Sequence, residues 1–117
     1  DITMYTEDGI AGADVVLVSY GGSSRAASAA MKLARAKGVK VGMLKLITIW
    51  PFPVELVIEK TKNAKTIIVP ELNTGQLVGE VERYAGRGRV VSVTRVDGEL
   101  FEPEEILEAI LAAGGAK

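Results

Sequence analysis

Residues 14–38 read DVVLVSYGGSSRAASAAMKLARAKG, and this stretch decides the fold. It opens on a short run of mostly β-branched apolar residues, 14–19, which is typical of a buried strand. The dipeptide Gly21–Gly22 then indicates a tight turn, after which the alanine-rich residues 23–37 predict a helix. Gly38 suits the left-handed conformation that commonly follows a helix end. We therefore expect a strand, a tight turn and a helix whose small side chains let it lie close against a sheet.

The rest of the chain repeats this alternation of strand and helix. Strands are predicted at residues 39–47, 65–69 and 89–94, and helices at residues 75–85, from Pro53 onward and from Pro103 to Gly114. Pro70 is expected to end the third strand, since proline has no N–H to donate. Four strands alternating with four helices predict an α/β fold with a mostly parallel sheet and helices on both faces. We expect residues 1–117 to form a single domain, because the pattern contains no linker long enough to split it.

The composition excludes several classes of protein. The 117 residues carry 14 Lys and Arg against 15 Asp and Glu, so a strongly basic nucleic-acid-binding protein is not expected. There is no Cys and no His, which excludes thiol catalysis, Cys-ligated iron–sulfur clusters and a His-based triad within this chain. We accordingly expect no metal site. Apolar runs are only a few residues long, far below the roughly 20 that a membrane span requires. The first residues have no signal-peptide character, and we expect a cytoplasmic protein without membrane partners.

The charges are unevenly distributed, and the chain begins with Asp1 in place of an initiator Met. Residues 25–65 carry nine bases and two acids, whereas residues 97–108 carry six acids and no base. This pattern is typical of solvated helix faces, and it would equally orient the domain for docking against a partner. The missing initiator Met favours a fragment of a longer protein.

The loop after the first strand holds the residues of a candidate anion site, which are Gly21, Gly22, Ser23, Ser24 and Arg25. In a doubly wound sheet, ligands bind at the carboxyl ends of the strands where the strand order reverses. This loop would lie there and would offer backbone N–H groups at a helix start, hydroxyl groups and a guanidinium. The same residues also suit a plain strand-to-helix turn in which one of the two serines caps the helix, and they match no phosphate-binding motif.

No catalytic centre is visible at this edge of the predicted sheet. Glu71 is the only acid there, and without a second acid or a His it forms no acid–base pair, so we expect no catalytic residue in the chain. It could instead orient a ligand amine or contact a neighbouring chain. Asn73 and Gln76, three residues apart, look like a capping pair for the helix over residues 75–85.

The stretch Trp50-Pro51-Phe52-Pro53 is the most unusual one, because it places the single Trp and one of two Phe between prolines. One interpretation is a rigid lid that packs on the domain's own core. The other is an apolar anchor for a further domain or subunit. Large aromatic side chains dominate interface energies, and a proline-framed loop loses little entropy on docking.

Three runs of this sequence resemble one protein family. They are the run from Ala13 to Pro53, the run TIIVPELNTGQL at residues 66–77 and the run RVDGELFEPEEI at residues 95–106. Together they resemble the C-terminal domain of the alpha subunit of 2-oxoacid:ferredoxin oxidoreductases over residues 13–112. The most specific pieces, LITIWPFP at residues 46–53 and VPELNTGQ at residues 69–76, look most like the 2-oxoglutarate and branched-chain 2-oxoacid type.

The resemblance implies a fold similar to the C-terminal domain of transketolase. That fold is a three-layer α/β/α sandwich around a five-stranded sheet, whose N-terminal strand lies antiparallel to the others at one edge. The resemblance places this edge strand at Ile2–Thr6, beside residues 39–45, and it places the domain at the C-terminal end of a longer subunit.

The activity implied by the resemblance belongs to a complex. It is the oxidative decarboxylation of a 2-oxoacid, in which thiamine diphosphate with Mg forms the adduct and coenzyme A accepts the acyl group. Ferredoxin takes the electrons through iron–sulfur clusters. We expect no cofactor in this chain, and we expect it to act as a scaffold that contacts the other alpha-subunit domains and the beta subunit. The expected interface residues are Trp50, Pro51, Phe52, Pro53, Glu71, Asn73 and Gln76.

Two alternatives stand beside this interpretation. The first is a small-ligand module of flavodoxin-like type, in which the turn at residues 21–25 binds a coenzyme A phosphate or a nucleotide phosphate. The second is an independent flavodoxin-like binding protein.

Overall fold

The computed structural model describes residues 4–21, 23–47, 52–72, 76–95 and 101–114. Its strands are β1 (Tyr5–Asp8), β2 (Val15–Tyr20), β3 (Val41–Leu46), β4 (Thr66–Leu72) and β5 (Val90–Arg95). Its helices are α1 (Ser23–Ala36), α2 (Val54–Thr61), α3 (Gln76–Ala85) and α4 (Pro103–Ala113), and the 3₁₀ turn Arg87–Arg89 precedes β5. These bounds confirm the alternation of strand and helix that the sequence predicted.

The five strands form one sheet in the order β1-β3-β2-β4-β5. Strand β2 pairs in parallel with β3 on one side and with β4 on the other, and β4 pairs in parallel with β5. Strand β1 is antiparallel to β3 at the edge, as the resemblance implied. The strand order therefore reverses between β2 and β4, so the loop that follows β2 lies beside the reversal, as the sequence predicted.

Hydrophobic side chains fill both faces of the sheet, which gives the molecule three layers. On one face α1 and α4 cover a buried cluster that includes Leu17 and Met31. On the other face the buried cluster includes Leu44 of β3 and Val57 of α2. Full burial of one such side chain stabilises the fold by about 1.5–3 kcal/mol. The expected three-layer α/β/α sandwich is confirmed.

The edge strand differs in position from the expected Ile2–Thr6. It spans Tyr5–Asp8, while residues 1–3 lie outside the described residues. The turn that follows uses Gly9 and Gly12, whose φ angles of 62° and 79° are accessible to glycine at little cost. The chain therefore stays extended as far as the residue before the first of these glycines.

Strand β4 continues through Pro70, so the prediction that the strand ends there was wrong. Pro70 lies opposite Val93 of β5, and β4 extends to Leu72. The pairing of β4 with β2 ends at Ile68, two residues before Pro70. Proline is tolerated because the ladder to β2 has already ended, so the missing N–H interrupts no pairing on that side.

The turn between β1 and β2 passes very close to β3 at Gly42. A Cβ atom built on Gly42 would lie 2.6 Å from the carbonyl oxygen of Gly9 and 2.8 Å from the Cα of Ile10. Only a residue without a side chain fits this approach of two backbones. Gly42 thereby lets the N-terminal turn lie against the sheet.

Candidate functional site

The turn between β2 and α1 carries the predicted anion site. Gly21 has a φ of 66°, and its carbonyl accepts a hydrogen bond from the backbone N–H of Ser24 at 3.0 Å. The Ser23 hydroxyl donates to the carbonyl of Tyr20 at 3.2 Å, and the buried Ser24 hydroxyl lies 3.0 Å from that of Ser19. These bonds tie the start of α1 back to β2, whereas the sequence predicted that one of the two serines caps the helix.

A cleft of about 790 Å³ opens between α1 and β3, and we call it the basic cleft. It is lined by Gly21, Ser24, Arg25, Ser28, Ala29, Lys32, Met43 and Lys45. Three of the five residues predicted for the anion site, Gly21, Ser24 and Arg25, thus lie together in one concavity. Ser23 does not line it, and Gly22 lies outside the described residues.

Residues that are distant in sequence complete the basic cleft. Arg25 and Lys32 are seven residues apart, which places them two turns apart on one side of α1. Lys45 comes from β3 and is only half-buried, between two fully buried leucines. Sequence reasoning missed Lys32 and Lys45. The available signal was the seven-residue spacing on the helix and a lysine inside an otherwise apolar strand.

The basic cleft concentrates positive charge. Arg25, Lys32 and Lys45 line it, and no acidic residue in the described part of the chain does. None of the ion pairs found among the described residues includes these three side chains, whereas the adjacent Arg35 pairs with Asp8 of β1 at 3.1 Å. Like charges in a concave site focus the electric field and attract anions.

Glu71 lies at the carboxyl end of β4, on the other side of the reversal of strand order. Its two carboxylate oxygens accept hydrogen bonds from the backbone N–H groups of Leu77 and Val78, at 2.6 and 2.9 Å. This carboxylate therefore caps the start of α3, a role that the sequence assigned to Asn73 and Gln76. Asn73 and the side chain of Gln76 lie outside the described residues.

Phe52 stacks on Tyr84 near the end of α3, with ring centroids 5.9 Å apart and an interplanar angle of 19°. Phe52 is half-buried and Pro53 is buried, while Trp50 and Pro51 lie outside the described residues. Glu71 and Phe52 thus contact opposite ends of one helix. One described residue of each predicted interface segment therefore contacts α3.

Within the described ranges, no group of three or more Asp or Glu residues is arranged to hold a metal ion. The helices seen there are also too short or too polar to cross a membrane.

Comparison with known families gives one match that spans most of the chain. A family model described as pyruvate:ferredoxin oxidoreductase core domain II matches residues 13–106. The chain is 43% identical, over 100 residues, to the 2-oxoglutarate synthase subunit KorA of Methanocaldococcus jannaschii. It is 40% identical, over 111 residues, to the ketoisovalerate oxidoreductase subunit VorB of Methanothermobacter marburgensis. The matches cover 85% and 95% of this chain but only 27% and 32% of those subunits.

Two solved structures are also similar to this chain. A 2-oxoglutarate:ferredoxin oxidoreductase from Magnetococcus marinus, solved with 2-oxoglutarate, coenzyme A and succinyl-CoA bound, superimposes with a TM-score of 0.81 at 26% identity. The superposition covers 94% of this chain and 19% of that one. A split-gene transketolase superimposes with a TM-score of 0.76 at 21% identity, which shows a shared fold.

Proposed function

The chain belongs to the pyruvate:ferredoxin oxidoreductase core domain II family, and we propose that it serves as an assembly domain of a 2-oxoacid:ferredoxin oxidoreductase alpha subunit. The observation that carries this proposal is the family match over residues 13–106, joined to relatives about 40% identical that act on 2-oxoglutarate or ketoisovalerate. The reaction proposed for the whole complex is coenzyme A-dependent oxidative decarboxylation of a 2-oxoacid with reduction of ferredoxin.

The iron–sulfur clusters of this reaction do not fit the residues of this chain. Such clusters are held by Cys, and the 117 residues include none. We therefore place the clusters outside this chain. We propose that thiamine diphosphate with its Mg²⁺ is likewise held by other domains or by the beta subunit, and we assign no catalytic step to this chain.

The surface proposed for assembly lies around α3. Its first part is the segment Trp50–Pro53, of which Phe52 stacks on Tyr84 of α3. Its second part is the segment Glu71–Gln76, of which Glu71 caps the first turn of α3. Both parts would contact other domains of the alpha subunit and the beta subunit, and a rigid support lowers the entropic cost of such docking.

Activity of the complete complex tests the reaction. The full alpha subunit is co-expressed with its natural partner without oxygen, and reduction of a viologen dye is followed with coenzyme A and a panel of 2-oxoacids. Coenzyme A-dependent reduction with one of the acids is the expected result. A cofactor-loaded complex that reduces the dye with none of them would contradict the proposed reaction.

Substitutions in the same complex test the assembly role. Trp50→Ala and Asn73→Ala are compared with Leu33→Ala, which removes an apolar side chain that is 43% exposed on α1. We expect the first two to release the beta subunit on size exclusion while Leu33→Ala leaves the complex intact. If all three variants assemble like the wild type, the surface around α3 is not the interface.

A further inference from the structure

We propose that the basic cleft between α1 and β3 binds a small molecule that carries two or more phosphate groups. This inference goes beyond the assembly role and does not rest on it. It rests on the shape of the cleft, on the positive charge of its walls, and on the absence of an acidic side chain among the described residues that line it.

The size and lining of the cleft suit a small ligand. Its volume of about 790 Å³ falls within the range of about 300–1,000 Å³ that is typical of ligand sites. The half-buried Ala29 and buried Met43 give the wall an apolar part beside the charged one. A ligand with phosphates and an organic body, such as a nucleotide, has both kinds of surface.

The charged groups come from separate parts of the fold and meet in one place. Arg25 lies in the first turn of α1, Lys32 two turns later, and Lys45 on the neighbouring strand. A solvated helix face would account for Arg25 and Lys32 but not for Lys45. Lys45 is half-buried in a strand whose other five residues are buried. Lys45 thus lines the same cleft as the two exposed cations of α1, and an anion bound there would be attracted by all three charges.

Other cations of the chain show what a structural role looks like here. Arg35 binds Asp8 and the carbonyl of Val41, and Lys60 binds Glu7 at 2.6 Å. Each of them ties an edge of the sheet to a helix or a turn. Among the described residues, the three cations of the basic cleft have no such partner.

The chemistry of the three groups favours phosphate over a single carboxylate. A guanidinium binds phosphate oxygens in a two-pronged manner, and two ammonium groups add point charges for a second phosphate. The hydroxyl of Ser28, which also lines the cleft, is a further donor. Coenzyme A and free nucleoside diphosphates share this polyphosphate ester chemistry, and the experiment below separates them.

Binding is measured on the ¹⁵N-labelled protein by titration with inorganic pyrophosphate, ADP and coenzyme A at millimolar concentrations. We expect saturable chemical-shift changes of the backbone amides of Gly21, Arg25, Lys32, Met43 and Lys45. Pyrophosphate binding as tightly as the other two indicates recognition of the phosphates alone. If ADP binds more tightly than pyrophosphate, the cleft also contacts the nucleoside. If coenzyme A binds more tightly still, the cleft also contacts its additional phosphate or its pantetheine arm.

Charge-neutralising variants make the test specific. Lys32→Gln combined with Lys45→Gln is expected to weaken binding about tenfold or more, since hydrogen bonds to charged groups are lost. The matched control is Lys37→Gln combined with Lys65→Gln, which removes the same charge at two exposed positions outside the cleft. The control is expected to change the affinity less than about twofold.

Two results would overturn the proposal. One is the lack of saturable shift changes with any of the three ligands. The other is an equal loss of affinity in the control variant, which would mean that binding depends on the overall charge of the protein instead of on the cleft. Neither result bears on the assembly role, because the titration needs no partner chain.

Discussion

The carboxylate of Glu71 accepts a hydrogen bond from the backbone N–H of Leu77 across 2.6 Å, and this bond joins the end of β4 to the first turn of α3. The second oxygen of the same carboxylate binds the next N–H, that of Val78. The first N–H groups of a helix have no partner within the helix, and a negative charge is favourable there. One side chain thus fixes the angle at which the chain passes from the sheet into the helix.

Replacing Glu71 by Ala is expected to destabilise the protein by about 1–2 kcal/mol, because two helix N–H groups lose their acceptor. Glu71→Gln keeps one acceptor oxygen and should cost less than Glu71→Ala. The measurement is the free energy of unfolding in urea. Glu108→Ala, which alters an exposed side chain of α4, is the control and should leave stability nearly unchanged. Equal stabilities of Glu71→Ala and Glu108→Ala would show that the cap contributes nothing.

The strand-and-helix pattern was predictable because it depends on local signals. The β-branched run that became β2 and the alanine-rich run that became α1 each specify their own conformation. The role of Glu71 was not predictable in this way. Its partners lie six and seven residues further along the chain, outside the spacing of any helix-capping motif. Only the position of the strand end relative to the helix brings them together.

Gly42→Ala is expected to destabilise the protein by about 1–3 kcal/mol, because the new methyl group would clash with the backbone at Gly9. The matched control is Gly79→Ala, at a helical position of α3 where a Cβ meets nothing within 4 Å. There the same substitution should stabilise by about 0.5–1 kcal/mol, since alanine favours helices. Thermal unfolding of both variants should show a lower stability for Gly42→Ala and a higher stability for Gly79→Ala than for the wild type. A stabilised Gly42→Ala would mean that the turn between β1 and β2 does not rest on β3.

The candidate site was predictable only in part. The turn at residues 21–25 stood out because its glycines and serines are local features of a strand-to-helix connection. Lys45, in contrast, is in the sequence only a charged residue within an otherwise apolar strand. The parallel pairing of β2 with β3 is what brings it beside α1. A site formed by residues from several elements becomes visible only with the tertiary structure.

Lys60 of α2 and Glu7 of β1 form an ion pair of 2.6 Å that joins the helix to the edge strand. The hydrogen bond to Glu7 raises the pKa of the Lys60 ammonium above its usual value of 10.5. Glu7→Gln is therefore expected to lower this pKa, which is measured by NMR from the shift of the lysine Cε with pH. Glu59→Gln removes a more weakly coupled carboxylate and should lower it less. Equal effects of the two variants would contradict the assignment of the hydrogen bond.

The raised pKa also fixes the pH range in which the pair stabilises the fold. A group whose pKa is higher in the folded state contributes its full stabilisation below the unfolded pKa, which for Lys60 is the usual lysine value of 10.5. That stabilisation is lost as the pH rises through the higher pKa of the folded state. The wild type should therefore be more stable than Glu7→Gln in urea unfolding at about pH 8, and the difference should shrink as the pH rises through the raised pKa of Lys60. A difference that persists at the higher pH would assign the effect of Glu7 to packing against α2 instead of to the charge of Lys60.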